Sequence, residues 1–391
     1  MTVIARSLNN NAPVVVSDML ITAKIAPKVF TPPLFETDIS HLLTGAIGQP
    51  TRLAQKIYLV ADRVCIAFSG YVFEMARFLE DFTLFCKTAP VLDGPSLTAF
   101  LKEYDYSEFQ SSSFFIMFIE GHDGQVVRVR EFTMRDFVSG HGEHFDTYIA
   151  TGSGAHDFLA ILNQKMEYLS SFERGELRDA IVKFGSLIAQ LLVLEYNTQA
   201  DLLKAWGGAF EYAFYNGRRF QKSDNVAYIV NHGEIQETGS MLMPFPMVVL
   251  YHKYVNEILV VTSVFYGNHQ LDSDDTYYYL RSDQAKAKAT PVPPIQQGIF
   301  IPPELNEPTS FETHWIGMGY LVNTFDHISL RPAYFTASPD LRVSFSAENG
   351  TVEIRMKKDM MDMTVKGLQR GLALMTAPAT EQAENKASPI A

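Results

Sequence analysis

Over residues 2–235 the chain alternates pairs of strand-like runs with pairs of helical runs, and no other feature of the sequence restricts the fold as much. "TVIARSL" and "APVVVSD" flank Asn9-Asn10-Asn11, a turn signal because asparagine tolerates left-handed backbone angles. "KIYLVAD" and "RVCIAFS" meet at Asp62-Arg63. "YVFEMARFLEDFTLFCK" then has helical spacing at Phe73, Ala76, Leu79 and Phe82/Phe85, and "PSLTAFLKEY" reads as a shorter helix. Strands return with "SFFIMFIEG", "QVVRVREFTM" and "FDTYIATGSG". A second helix pair, "AHDFLAILNQKMEYL" and "ELRDAIVKFGSLIAQLLVLEY", precedes the strands "AFEYAFYNG" and "NVAYIVNHGEI". Such alternation suits two stacked sheets with helices on both outer sides. The expected class is α+β, a four-layer αββα sandwich over residues 2–240.

From residue 241 the text turns strand-like, with "MVVLYHK", "EILVVTSVFYG", "HWIGMGYLV", "LRVSFSA" and "TVEIRMK". This predicts a β-rich C-terminal extension over 241–375. The proline-rich stretch 290–308 reads as a linker or draped loop. The tail 376–391 has a composition that cannot bury a core, which predicts disorder.

A formal net charge of −12 repels a phosphate backbone, and no basic cluster offsets it, so nucleic acid is not an expected partner. Two cysteines, Cys65 and Cys86, lie in apolar contexts and read as buried free thiols. That usage suits the reducing cytosol. The first residues lack the apolar core of a signal peptide, and the longest uncharged apolar run, "MLMPFPMVVLY", is too short to span a bilayer. A cytoplasmic protein without a membrane partner is expected. "SGHGEH" has the wrong spacing for a zinc helix, and "TGSGAHD" lacks the features of a dinucleotide or phosphate loop, so neither a metal nor a cofactor is expected.

The chemistry-bearing feature is Thr2. Removal of Met1 exposes a residue whose hydroxyl and α-amine are adjacent. The amine, with a pKa of about 7.7–8.0, can take the hydroxyl proton directly or through a water. A nearby ammonium lowers that pKa further, and a carboxylate holds the ammonium in place. A turn centred on Asn10 gives antiparallel partners with i + j = 20, which sets Thr2 across from Asp18.

"TVIARSLNNNAPVVVSDMLIT" resembles the opening of proteasome β-type subunits and their bacterial relatives, the N-terminal-nucleophile (Ntn) threonine hydrolases: a leading Thr, a hairpin, an Asp, and a Thr four residues on. Here these are Thr2, Asp18 and Thr22. "KIYLVADRVCIAFSG" is similar to the family's lysine-led strand, with Lys56 as ammonium and Gly70 as backbone donor to the oxyanion. "YIATGSGAHDFLAIL" matches its Gly-Ser-Gly turn, at Ser153. The resemblance, over about residues 2–235, implies a threonine endopeptidase that needs no cofactor and acts on a peptide or amide substrate. Thr2, Asp18, Lys56 and Ser153 would be catalytic. Gly70 would serve the oxyanion, and Thr22 and Phe68 the substrate pocket, with Phe68 as its floor. It also implies a homo-oligomer, a ring or stacked rings, and leaves room for an ATP-driven unfoldase to which no residue here points.

The sequence departs from the family at two places. An inserted segment separates Thr22 from Lys56, and could form a lid, a specificity wall or a subunit contact. The family's Asp-x-x-Ser-Gly falls at "LLKAWGGAFEY", where Trp206-Gly207-Gly208 replaces Ser-Gly and Asp201 lies upstream. Plainer readings stay open: Thr2 as a strand residue, Asp18 and Lys56 as a structural pair, Ser153 as a turn residue, Gly70 as a strand end, Phe68 as core. A proteasome-fold assembly protein without activity and a small-molecule amidohydrolase are the alternative functions.

Overall fold

The computed structural model describes residues 3–9, 12–120, 126–133, 137–141, 147–165, 177–235, 244–295, 299–323, 329–330 and 332–376. It is α+β. A hairpin, β1 Ile4–Asn9 and β2 Ala12–Asp18, leads to β3 Leu20–Ala23 and β4 Gln49–Leu53. β5 Ile57–Ala61 and β6 Val64–Ser69 follow, then helices α1 Val72–Thr88 and α2 Gly94–Glu103. β7 Ser113–Glu120, β8 Val126–Thr133, β9 Val138–His141 and β10 Thr147–Thr151 come next. Helices α3 Ala155–Lys165, α4 Leu177–Thr198 and α5 Ala200–Leu203 precede β11 Phe210–Tyr215 and β12 Phe220–Lys222. The rest is β13 Val226–Glu234, β14 Phe245–Val255, β15 Ile258–Phe265, β16 Gln270–Ser273, β17 Tyr277–Ser282, β18 Lys286–Val292, β19 Phe311–Thr313 and β20 Trp315–Asn323. β21 Ser329–Leu330, β22 Ala333–Ala337, β23 Leu341–Ser346, β24 Thr351–Lys357 and helix α6 Lys358–Thr376 complete it.

Strands β12-β11-β2-β1-β10-β9 form one sheet and β5-β6-β7-β8 another. Because side chains alternate along a strand, each sheet has two apolar faces to cover. Ile4, Val15 and Ala213 of the six-stranded sheet meet Cys65, Ala67 and Phe115 of the four-stranded one. The other face of the four-stranded sheet, with Ile66, Phe68 and Phe114, packs on Phe78, Phe82 and Leu97 of α1 and α2. The other face of the six-stranded sheet, with Ala5, Val14 and Val16, packs on Phe158 of α3 and Leu187 and Leu191 of α4.

Helix α4 is covered on its far side too. A seven-stranded sheet, β18-β15-β14-β13-β20-β21 with β22 on β20, lies against it. Approach is close because β20 carries glycine there: a Cβ on Gly319 would come within 2.3 Å of Val193 and 2.6 Å of the Ala189 carbonyl. The sheet's remaining face meets the five-stranded sheet β16-β17-β24-β23-β19 and α6. Among the described residues no helix is long and apolar enough to cross a membrane.

Several expectations need correction. The β1/β2 register follows Ile4↔Ser17 and Asn9↔Ala12, so i + j is 21 and Asp18 stands opposite Val3 rather than Thr2. Two residues, not one, therefore separate the paired Asn9 and Ala12. Phe73 is 68% exposed, and α1 instead buries Met75, Phe78, Leu79 and Phe82. β13 pairs with β14 and β20, which puts it in the seven-stranded sheet with the C-terminal strands. Residues 290–292 are not linker but part of β18, which pairs with β15 at the sheet's edge. An edge strand tolerates Pro291 because no neighbour needs its missing N–H. Helix α6 has no counterpart in the sequence-based expectation of β structure through residue 375. Residues 377–391 of the tail lie outside the described residues.

Candidate active site

Asp18 ends β2, where the strand leaves the sheet, and its carboxylate is completely enclosed. Oδ1 accepts the Val3 N–H at 2.6 Å and the Lys56 ammonium at 3.1 Å. Oδ2 accepts the Gly207 N–H at 3.1 Å. Lys56, 2% exposed between β4 and β5, also donates to the Leu20 carbonyl at 2.8 Å. Burial lowers the lysine's pKa and the Asp18 charge opposes that shift. An ammonium so enclosed persists because a carboxylate and a carbonyl replace its water.

Gly207 and Gly208 follow α5 in left-handed conformations, φ +101° and +79°. Their amides point to two different carboxylates: Gly207 to Asp18, Gly208 to Glu195 Oε2 at 2.7 Å. A Cβ on Gly207 would lie 2.4 Å from Glu195 Oε2 and 2.7 Å from Asp201 Oδ2, so both acids crowd this one residue. Glu195 is held well above the usual carboxylate range by burial first and by the Asp201 charge next. Burial pushes Asp201 up to about 7. Two buried acids side by side share a proton more readily than they both ionise.

A cleft of about 830 Å³ has Thr22, Gly70, Tyr71, Glu74, Arg77 and Ser153 among its walls, whereas Asp18, Lys56, Glu195, Asp201 and Gly207 do not line it. It thus gathers three of the residues singled out from sequence: Thr22, Gly70 and Ser153. Helix α1 starts at Val72, which also lines the cleft, so the positive end of its dipole lies there. The Tyr71 N–H donates to Ser112 Oγ, and the Ser112 hydroxyl donates to Glu74, which fixes the start of α1. Asp18 and Lys56 are bonded to each other beneath Leu20, two residues before Thr22. Phe68 is not among the lining residues; it is 2% exposed, in the core under α1, tilted on Tyr58. Thr2 lies outside the described residues, as do residues 142–146 of the histidine-bearing loop. The segment between Thr22 and Lys56 packs inward through Leu34, Ile39 and Leu43 in the core shared with α4.

Sequence reasoning missed Glu195 and the roles of Gly207 and Gly208. A lone acid inside the apolar run "LLVLEY", followed by a Gly-Gly pair, is the signal that was available. Among the described residues no group of three or more His, Cys, Asp or Glu side chains could hold a metal ion. A scan against protein-family models finds no match to this chain. A search of curated proteins finds none either.

Proposed function

We propose that the chain is a threonine-type N-terminal-nucleophile amide hydrolase, a proteasome-like peptidase on the four-layer αββα fold. One observation carries the reading. The Asp18 carboxylate binds the Lys56 ammonium and the Val3 N–H through the same oxygen, and that nitrogen is the one bonded to the Thr2 carbonyl carbon. The succession of packed faces, α1 and α2 on one sheet, that sheet on the next, and the next on α3 and α4, supports the fold assignment.

Removal of Met1 frees the Thr2 amine. The hydroxyl oxygen adds to the substrate carbonyl while its proton passes to that amine. The resulting ammonium returns the proton to the departing amine, leaving an ester on Thr2. Water, deprotonated by the Thr2 amine, then adds to the ester carbonyl; the Thr2 oxygen leaves, takes that proton back from the ammonium, and the acid is released. Lys56 lowers the amine's pKa so that free base is present near neutral pH. Gly70 and the start of α1 supply dipoles for the oxyanion, and Thr22 and Ser153 hold the substrate and the amine.

A second reading, a proteasome-fold scaffold without activity, is favoured by Gly207 and Gly208. They stand where the family has Ser-Gly, and their amides are engaged by Asp18 and Glu195. A small-molecule amidohydrolase differs from the peptidase in substrate alone. The deciding experiment combines intact mass with labelling by a threonine-directed epoxyketone. The peptidase lacks Met1 and gains one adduct that Thr2→Ala abolishes. A chain that retains Met1 excludes the catalytic reading, and a processed chain without adduct is the scaffold.

A further inference from the structure

The segment that carries Lys56 is held from the far end of the chain. Gln55 is 2% exposed and every polar group of its side chain is engaged. Its Nε2 donates to the Glu257 carbonyl and the Val292 carbonyl, each at 2.7 Å, and its Oε1 accepts from Lys222 Nζ at 2.6 Å. Its backbone N–H donates to the Pro293 carbonyl at 3.0 Å. Gln55 and Pro294 form an isolated parallel bridge.

The next residues are fixed by one buried acid. Glu211 Oε1 accepts the Lys56 N–H at 2.6 Å and the Ile57 N–H at 2.9 Å. Its Oε2 is held by Lys222 at 2.8 Å and by the Tyr254 hydroxyl at 3.2 Å. One residue further, Tyr58 accepts the Ile295 N–H, and the Ile295 side chain sits in the core shared with α1 and Phe68. β5 is an edge strand of its sheet, so these bonds replace the neighbour that would otherwise fix its start.

We propose that Gln55 is a positioning residue for Lys56, clamped by residues 254–295, and that the C-terminal β-rich region thereby completes the active site. This rests on the reading of Lys56 as the group that tunes the Thr2 amine. A lysine directly before an edge strand would otherwise follow that strand's fraying; the bonds of Gln55 to Glu257, Val292 and Pro293 prevent it.

Two readouts on the full-length chain keep the clamp and the catalytic reading apart. The first is backbone hydrogen exchange in Gln55→Ala and in the milder Tyr254→Phe. Exchange at Lys56 and Ile57, and at Phe68 whose N–H donates to the Lys56 carbonyl, should rise about tenfold or more in Gln55→Ala and less in Tyr254→Phe, with Leu187–Leu191 of α4 unchanged. Unchanged exchange at Lys56 and Ile57, or a uniform rise along the chain, overturns the clamp. The second is the pH profile of epoxyketone labelling. Displacing the ammonium raises the amine's pKa, so the Gln55→Ala profile should move to higher pH and labelling near neutral pH should fall about tenfold. A profile that stays in place while local exchange rises also overturns the positioning role. A wild-type chain that takes no label sinks the hydrolase reading instead, and the exchange result still decides the clamp.

Discussion

Lys56 and Asp18 form a 3.1 Å ion pair that is almost wholly buried, with side-chain exposures of 2% and 0%. Such a pair is costly to break from one side, because the survivor keeps a buried charge. Lys56→Met should therefore lower the unfolding free energy by about 3–5 kcal/mol in denaturant titrations. Asp18→Asn/Lys56→Met should recover part of that loss, since neither charge is then left alone. A single-variant loss below about 1 kcal/mol would show the pair to be energetically idle.

Gly207 and Gly217 provide an internal comparison of strain with crowding. Both have positive φ, +101° and +88°. A Cβ on Gly217 meets nothing within 4 Å, whereas one on Gly207 meets Glu195 and Asp201 oxygens. Gly217→Ala should cost about 1–2 kcal/mol, the price of the backbone angle alone. Gly207→Ala should cost about 3 kcal/mol or more and shift the amide that binds Asp18. Thermal melts of the two variants measure this, and equal losses would remove the crowding from the account.

The parts legible from sequence were those with a strong period or a local chemical signature. Helix α4 follows from the apolar spacing of its twenty-two residues, and β6 from the run "VCIAFS". The contact between Asp18 and Lys56 was legible through the family resemblance, and a slip of one residue in the hairpin left it in place. The slip turned on whether one or two residues form the turn, which asparagines alone do not decide. Partnerships distant in sequence were not legible. Gln55 meets Glu257 and Val292 across more than two hundred residues, and nothing near Gln55 marks it. Proline disguised β18, since its edge position became visible only with the sheet assembled. Among the described side chains of helix α6 the buried ones are Met361 and Leu368, and Gly367 and Gly371 weaken the helical signal of its sequence.

His252 on β14 should make the fold acid-sensitive. It is 4% exposed, edge-on to the Tyr228 ring at 5.1 Å, and burial lowers its pKa from 6.5 to about 3. The folded state therefore holds it neutral while the unfolded chain protonates it below 6.5. More protons on the unfolded state mean that stability is lost as pH falls from 6.5 towards 3. Replacing it by Phe removes this term. Urea midpoints should drop less in His252→Phe than in the parent between about pH 7 and pH 4. Parallel curves would place the titration elsewhere.

The Glu195–Asp201 pair titrates with the opposite sign. Burial raises both above their unfolded values, so between the two states the folded one binds more protons. Their contribution to stability is fully present below the unfolded carboxylate range of about 4 and is lost as pH rises through the elevated folded values. Glu195→Gln keeps an oxygen for the Gly208 N–H and gives Asp201 an amide donor in place of a second acid. The variant should be flatter than the parent in denaturant midpoint from about pH 5 to pH 8, and more stable at the upper end. Because Gly207, between these acids and Asp18, links the two groups, the parent's labelling rate at Thr2 should also depart from the variant's over the same range. If midpoints fall equally with pH in both proteins, the two acids do not share a proton, and the Gly207 amide answers to Asp18 alone.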